Sequence, residues 1–240
     1  MIRISAIVAS YNGEKYIIEQ INSLIKCLDY NDEIIICDDA STDNTLKKIS
    51  IIKDPRVKVF SFRQNTGFQK NFERAINKAS GKFIMFCDQD DICNPLRLSV
   101  SLKAVENYSV IAGDVEVVDD ELNTIYPSYF KKFNFKKFNF FRIFLRPRII
   151  GATIFCKRDF LLQMLPFSNL ISHDHQITCL ASMANELYVS DEIFIKFRRH
   201  QNTTSTTALK PKRNYLLIFI NRLRILRMIL YKIYFFKKHN

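Results

Sequence analysis

The segment Gly81-Lys82-Phe83-Ile84-Met85-Phe86-Cys87-Asp88-Gln89-Asp90-Asp91 decides which fold this sequence is expected to adopt. Its mostly apolar part, residues 82–87, predicts a buried strand, because a short apolar run is typical of a strand covered on both faces. An acidic cluster, residues 88–91, follows without a gap. In an open α/β sheet the carboxyl ends of the strands form the crevice where ligands bind. The segment therefore predicts a strand that brings carboxylates to a ligand site.

The same pattern occurs twice nearer the start of the chain. A predicted strand Ile4–Ala9 ends in Ser10-Tyr11-Asn12-Gly13, and a predicted strand Glu33–Cys37 ends in the polar cluster 38–43. Amphipathic stretches and another predicted strand, Val57–Phe62, complete the first half. This alternation predicts an α/β fold with a mostly parallel central sheet flanked by helices. The three polar clusters should meet at one edge of that sheet.

The second half contains fewer clear patterns. We predict a helix after Asn94-Pro95, a helix from His173 to about Ala184, and strands in the segments Val110–Val118, Gly151–Cys156 and Val189–Phe197.

The spacing of Asp88 and Asp90 suits a metal site. Two hard oxygen donors close together are typical of Mg²⁺ or Mn²⁺ that is shared with phosphate oxygens. The alternative is an acidic turn that supports the helix at Pro95. Asp39 belongs to a second acidic group, in which a carboxylate can accept the imide N–H of uracil or thymine, and helix capping is the alternative there. No glycine loop of the dinucleotide or Walker type occurs, which argues against those enzyme classes.

Composition and charge narrow the function further. The 240 residues are 48% apolar, enough for the core of one domain. The net charge of +12 is uneven, because residues 1–125 carry −4 and residues 126–240 carry +16. Six scattered cysteines without a C-x-x-C pair predict small buried side chains in a reducing compartment. No uncharged apolar stretch is long enough for a spanning helix or a signal peptide, so we expect a cytoplasmic protein.

The basic second half predicts an anionic partner. A near-duplicate, residues 131–135 and 136–140, opens a segment with seven basic residues and no acid up to Arg148. Residues 215–236 predict an amphipathic helix. Its polar face holds Asn221, Arg224, Arg227 and Lys232, and its apolar face holds Phe219, Leu223, Leu226, Ile229, Leu230, Ile233 and Phe236. Arg222 is the exception, because it is a charged residue in the apolar face. Such a helix is typical of membrane interfaces, and packing on its own domain or on a partner subunit is the alternative. The absence of known nucleic-acid-binding motifs argues against nucleic acid.

Four segments together resemble the nucleotide-sugar-dependent glycosyltransferases of family 2, which have the GT-A fold. They are Ile7–Gly13, Ile36–Asp43, Asn65-x-Gly67 and Gly81–Asp91, and they occur in the expected order within the first 100 residues. The Asp-Gln-Asp-Asp form is similar to rhamnosyltransferase-like members. The resemblance implies a GT-A domain over residues 1–205, with a nucleotide-binding half (1–100) and an acceptor-side half (101–205), followed by a linker and basic membrane-associating helix (206–240).

The resemblance also implies roles for single residues. In the nucleotide-sugar site it places Ser10, Tyr11, Asn12, Asp39, Asp88 and Gln89. It implies Asp88, Asp90 and His200 as ligands of Mn²⁺ or Mg²⁺, and Asp174 of the pair His173-Asp174 as the catalytic base. The small residues 151–153 resemble the strand that lines the acceptor side. Capping of a helix that begins near His175 is the alternative role of Asp174.

The implied reaction is an inverting transfer of a sugar from dTDP-rhamnose or a UDP-hexose to a hydroxyl of a glycan acceptor. The basic surface favours a lipid-linked acceptor, in bacterial surface polysaccharide synthesis at the inner face of the cell membrane. Cys93 and His175-Gln176 stand where aromatic residues are common, which leaves the acceptor open. The oligomeric state is open too. The competing hypothesis is a basic nucleic-acid- or membrane-binding module whose enzyme-like half is inactive.

Overall fold

Four parallel strands form the first half of the sheet. These strands lie in the order β3 (Val57–Ser61), β2 (Glu33–Asp38), β1 (Ile4–Ser10) and β4 (Phe83–Asp88). The structure is a computed structural model, and it describes residues 3–136, 138–169, 171–200, 220, 222, 223, 225–227 and 230. The helices of this half are α1 (Ile17–Cys27), α2 (Thr45–Ile49), α3 (Phe68–Lys78) and α4 (Leu96–Ala104). The predicted strands are confirmed to within a residue or two at each end.

The second half continues the same sheet with mixed strand directions. After β4 come β8 (Phe155–Lys157), β6 (Val110–Val118), β9 (Leu187–Arg198) and β5 (Ile92–Cys93), while β7 (Thr124–Tyr126) pairs with β6. Strand β8 runs antiparallel to both neighbours, whereas β9 is parallel to β6. The remaining helices are α5 (Tyr129–Lys132), α6 (Phe140–Leu145), α7 (Arg158–Leu162) and α8 (His173–Met183).

One predicted strand is partly wrong. Residues Gly151–Thr153 form a 3₁₀ turn, and β8 begins only at Phe155. The turn is held by Thr153, whose backbone N–H and hydroxyl both donate to the carbonyl of Ile150, at 3.0 and 2.7 Å. These local bonds compete with strand pairing. The turn is packed against α8, because a Cβ on Gly151 would lie 3.0 Å from Nε2 of His173.

Both faces of the sheet are covered. In β2, Ile34 and Ile36 belong to one buried cluster and Ile35 and Cys37 to the other, since successive side chains point to opposite faces. The apolar side of α1 joins the first cluster and that of α3 the second. The cysteines are free and mostly buried, as predicted, and burial raises the pKa of Cys37 to about 12.

The tail predicted as linker and amphipathic helix lies almost entirely outside the described residues. Those that are described in it, namely 220, 222, 223, 225–227 and 230, are helical. Within the part of the chain that the structure describes, no helix is long and apolar enough to cross a membrane.

Candidate functional site

The ends of β1 and β2 are joined by polar side chains. Ser10 donates its hydroxyl to Oδ2 of Asp38 at 2.9 Å. Asn12 has a positive φ of 48°, which asparagine tolerates, and its Oδ1 accepts the backbone N–H of Thr42 at 2.8 Å. Its own N–H donates to Oγ of Ser41 at 2.9 Å. The two loops therefore form one rigid rim beside the crevice.

Asp39 reaches a third loop, after β3. Its buried carboxylate accepts the backbone N–H groups of Thr66 and Gly67, the latter at 2.8 Å, and pairs with Nη1 of Arg74 at 2.8 Å. Gly67 has a φ of +85°, which suits glycine. A base N–H would have to replace one of these donors, so the predicted nucleobase contact stays a prediction.

Gln89 holds the loop that contains Tyr11. Its Oε1 accepts the backbone N–H of Tyr11 at 2.9 Å, and its Nε2 donates to the carbonyl of the same residue at 3.0 Å. A Cβ at Gly13 would lie only 2.3 Å from Oε1 of this amide, so a larger residue there would displace the side chain of Gln89. Both polar groups of Gln89 are thus engaged within the protein, and its predicted contact with the nucleotide sugar stays a prediction. The ring of Tyr11 is exposed beside this clasp.

The acidic loop after β4 concentrates negative charge. Removal from water and the charges of Asp90 and Asp174 raise the pKa of Asp88 to about 7. Burial, with Asp90 and Asp88, likewise raises the pKa of Asp91, whose Oδ1 accepts the backbone N–H of Arg198 at 3.1 Å. Oδ2 of Asp91 is buried without a hydrogen-bond partner. The cluster therefore favours a neutralising cation.

The donor set fits a divalent metal that also binds a ligand. Carboxylate oxygens suit Mg²⁺ and Mn²⁺, and Mg²⁺ sites commonly use one or two carboxylates together with substrate phosphates. Nε2 of His200 lies 2.8 Å from Oδ2 of Asp90, so the structure brings together two of the three predicted metal ligands, and Asp88 interacts with Asp90 through its charge. Among the described residues, no three or more His, Cys, Asp or Glu side chains form a ready-made metal cage.

Asp174 lies at the same place. It is the second residue of α8, whose N-cap is Ser172, so the helix begins two residues before His175 and Asp174 lies in its first turn. Its Oδ1 accepts the backbone N–H of His175 at 2.7 Å, which fixes the carboxylate. Because its charge contributes to the raised pKa of Asp88, Asp174 faces the acidic loop.

Arg198 is a residue that the sequence analysis missed. Its buried guanidinium donates Nε to the carbonyl of Asp90 at 3.0 Å, Nη1 to the carbonyl of Asp120 at 2.7 Å and Nη2 to Glu19 at 2.5 Å. It also lies 4.7 Å from the ring centroid of Tyr16. Arg198 thus joins the acidic loop, α1 and the turn after β6. The run Arg198-Arg199-His200 is visible in the sequence, but the residues that Arg198 contacts lie far from it along the chain, so its role could not be predicted.

Comparison with known proteins decides the family. A family model described as Glycosyl transferase family 2 matches residues 5–164 of the 240. The chain belongs to glycosyltransferase family 2. The family predicted from the four sequence segments is therefore confirmed, and the matched range contains the acidic loop.

The relatives of this family 2 chain come from several bacteria. The Escherichia coli protein UDP-Glc:alpha-D-GlcNAc-diphosphoundecaprenol beta-1,3-glucosyltransferase WfgD is 35% identical over 119 residues, which are 49% of this chain and 47% of the relative. An uncharacterized glycosyltransferase of Haemophilus influenzae is 27% identical over 248 residues, covering 92% of this chain and 76% of the relative. The chain thus spans about half the length of the E. coli protein.

A solved structure shares the fold. Residues 1–349 of Staphylococcus aureus TarS in complex with UDP-GlcNAc align with a TM-score of 0.71 at 23% identity, covering 97% of this chain and 66% of the other. The predicted GT-A fold of this family 2 chain is thereby confirmed. At this level of identity the likeness concerns the fold.

Two histidines of this family 2 chain flank Asp174. Burial lowers the pKa of His173, which is surrounded by Phe68, Phe72, Phe86 and Phe167. Both of its ring nitrogens lack hydrogen-bond partners. Nε2 of His175 donates to the carbonyl of Ile143 at 2.8 Å, which ties α8 to α6. The contacts of both histidines fix the start of α8.

We expect Arg198→Lys to weaken metal binding at the acidic loop without unfolding the protein. An ammonium group cannot reproduce three divergent N–H contacts, so the acidic loop and His200 should lose their fixed positions. Loss of such supporting contacts typically weakens metal binding by roughly 10–100-fold. Titration of the variant with Mn²⁺ and UDP measures this effect. Lys196→Arg, on the same strand, serves as the control, and equal affinities in Arg198→Lys and the control would contradict the role of Arg198.

Proposed function

We propose that this protein is an inverting, metal-dependent glycosyltransferase that moves a sugar from a nucleoside diphosphate sugar to a hydroxyl of a glycan acceptor. The observation that carries the proposal is the contact of Asp90 with His200, beside an Asp88 whose pKa is raised by the charges of Asp90 and Asp174. A UDP-hexose is our first choice of donor, supported by the UDP named for the E. coli relative and the TarS complex. dTDP-rhamnose is the second choice, supported by the Asp-Gln-Asp-Asp sequence.

The proposed chemistry is a direct displacement at the anomeric carbon. Asp174 accepts the proton of the acceptor hydroxyl as that oxygen attacks. Its carboxylate is held by the N–H of His175, so it is oriented before the acceptor arrives. Attack from the face opposite to the diphosphate inverts the anomeric configuration.

The diphosphate side of the site is assigned to the acidic loop. Asp88 and Asp90, with His200, are the residues that would hold Mn²⁺ or Mg²⁺, which when bound offsets the charge of the departing diphosphate. Arg198 and Gln89 keep the neighbouring backbone in place through Asp90 and Tyr11. The raised pKa of Asp88 supports this assignment, because a carboxylate with excess negative neighbours gains most from a cation.

The acceptor side is assigned to the basic half. We propose a lipid-linked glycan acceptor in bacterial surface polysaccharide synthesis, reached by a protein bound peripherally to the inner face of the cell membrane. The charge of +16 on residues 126–240 supports an anionic partner. The diphosphoundecaprenol in the name of the E. coli relative supports a lipid diphosphate. The acceptor half would be residues 101–205, with residues 206–240 as linker and membrane-associating helix.

The test is thermal stabilisation by nucleotide sugars with and without metal. A ligand that binds only the folded state raises the melting temperature, and a concentration of 100 times Kd adds about 2.7 kcal/mol to the free energy of unfolding. We expect UDP-glucose, UDP-GlcNAc or dTDP-rhamnose to stabilise the protein with Mn²⁺ and to fail with EDTA. Stabilisation by DNA, with none by any nucleotide sugar, would instead support the module with an inactive enzyme-like half.

A further inference from the structure

The described part of the tail is attached to α6. Nη2 of Arg222 donates to the carbonyl of Leu145, the last residue of α6, at 2.9 Å, and its guanidinium lies 5.9 Å from the ring centroid of Phe144. Ile225, one helical turn later, is fully buried in the core. These contacts explain why an arginine interrupts the predicted apolar face, since Arg222 binds a free helix-terminal carbonyl.

Four large apolar side chains on these two elements are more than half exposed. Phe141 and Leu145 of α6 are 72% and 63% exposed, and Leu223 and Leu230 of the tail are 51% and 55% exposed. Leu223 is adjacent in sequence to Arg222, which contacts Leu145, so the exposed groups lie on neighbouring elements. Grouped exposed apolar side chains are typical of an interaction site. We call these four residues the α6–tail surface.

Basic residues precede, interrupt and follow α6 in the sequence. Lys131, Lys132 and Lys136 precede α6, Arg142 lies within it, and Arg146 and Arg148 follow it. The sequence contains no acidic residue between Glu121 and Asp159. Within the described ranges, none of these six cations forms an ion pair. The surface therefore combines exposed apolar groups with uncompensated positive charge.

We propose that the α6–tail surface docks on an anionic lipid bilayer, with Phe141 and Leu145 inserted among the lipids. The positive charge complements anionic headgroups, which attract basic residues near the leaflet. Aliphatic side chains favour a bilayer over a nucleic acid, because leucine neither stacks on bases nor reads their edges. The inference rests on the proposed function, because docking would bring the site to a lipid-linked acceptor.

The docking surface is coupled to the catalytic site by a short path. His175 binds the carbonyl of Ile143, at the centre of α6, and follows Asp174 directly in α8. Docking of α6 would therefore hold Asp174 at a fixed distance from the bilayer, and the packing of α8 on α6 would determine that distance.

The experiment uses the absence of tryptophan from this chain. Phe141→Trp introduces a single fluorescent reporter at the proposed insertion point. Its emission should shift to shorter wavelength with vesicles of phosphatidylcholine and phosphatidylglycerol, less with phosphatidylcholine alone, and less at high salt. Tyr30→Trp is the matched control, because Tyr30 is 79% exposed in the loop between α1 and β2, which contributes no residue to the α6–tail surface. The control emission should stay unchanged.

A second variant measures the apolar contribution. Leu145→Ser should weaken vesicle binding by roughly tenfold or more, because the inserted side chain contributes through burial of its apolar surface. An unchanged emission of Phe141→Trp with saturating anionic vesicles, or an equal shift in the control, would overturn the proposal, as would tight DNA binding without vesicle binding. Stabilisation by nucleotide sugars, measured on the same variants, shows separately whether the proposed transferase function stands.

Discussion

Asp174→Asn is expected to lower kcat by about 10²–10⁴-fold, which is the usual contribution of a positioned general base. The amide cannot accept the proton of the acceptor hydroxyl, but its oxygen can still accept the N–H of His175, so the start of α8 should keep its geometry. Binding of the nucleotide sugar should change little, because the acidic loop is untouched. Single-turnover transfer assays and calorimetric titration of the donor measure the two quantities separately.

The chain offers a matched control for this substitution. Asp159 lies in the first turn of α7, as Asp174 lies in the first turn of α8, and it is exposed. Asp159→Asn should leave turnover and donor binding unchanged. Full turnover of Asp174→Asn would show that another group removes the proton.

Asp90→Asn is expected to abolish metal-dependent donor binding and to stabilise the metal-free protein at the same time. The charge of Asp90 contributes to the raised pKa of both Asp88 and Asp91, so its removal relieves repulsion among the three carboxylates. The gain in the free energy of unfolding should be on the order of 1 kcal/mol. Denaturant unfolding in EDTA and titration with Mn²⁺ and UDP measure the two effects. Asp191→Asn, an exposed site on β9, should show neither.

The pH dependence of stability follows from the same cluster. The pKa of Asp88 is about 7 in the folded state, against an ordinary value of 3.8. The folded protein therefore keeps a proton that the unfolded chain has already lost, so the contribution of Asp88 to the free energy of unfolding falls as the pH rises from about 4 to 7. Asp90→Asn should flatten this slope. A slope that is equal in both proteins would contradict the proposed repulsion.

The first half of the fold could be predicted because its signals are local. Each buried parallel strand is an apolar run followed by a polar cluster, so the same few residues predict both the strand and the polar side chains at its end. β6 follows the same rule, and its bounds agree with the prediction. The family resemblance then named Asp90 and His200, which the structure places 2.8 Å apart.

The rest depends on partners that local patterns do not contain. The side chain of Gln89 binds the backbone of Tyr11, 78 positions away, and Asp39 binds Thr66 and Gly67. The turn at Gly151–Thr153 has the composition of a strand, but its own hydrogen bonds and its contact with His173 decide its shape. Tertiary packing thus determined which polar atoms remain available to a ligand.

The contact between Arg198 and Glu19 links positions 179 residues apart. During translation α1 and the acidic loop leave the ribosome long before Arg198 is made. A nascent chain, or a product of premature termination within β9, would carry the three carboxylates of the loop without the guanidinium that fixes them. The acidic loop is therefore held in place by this contact only after β9 has been synthesised.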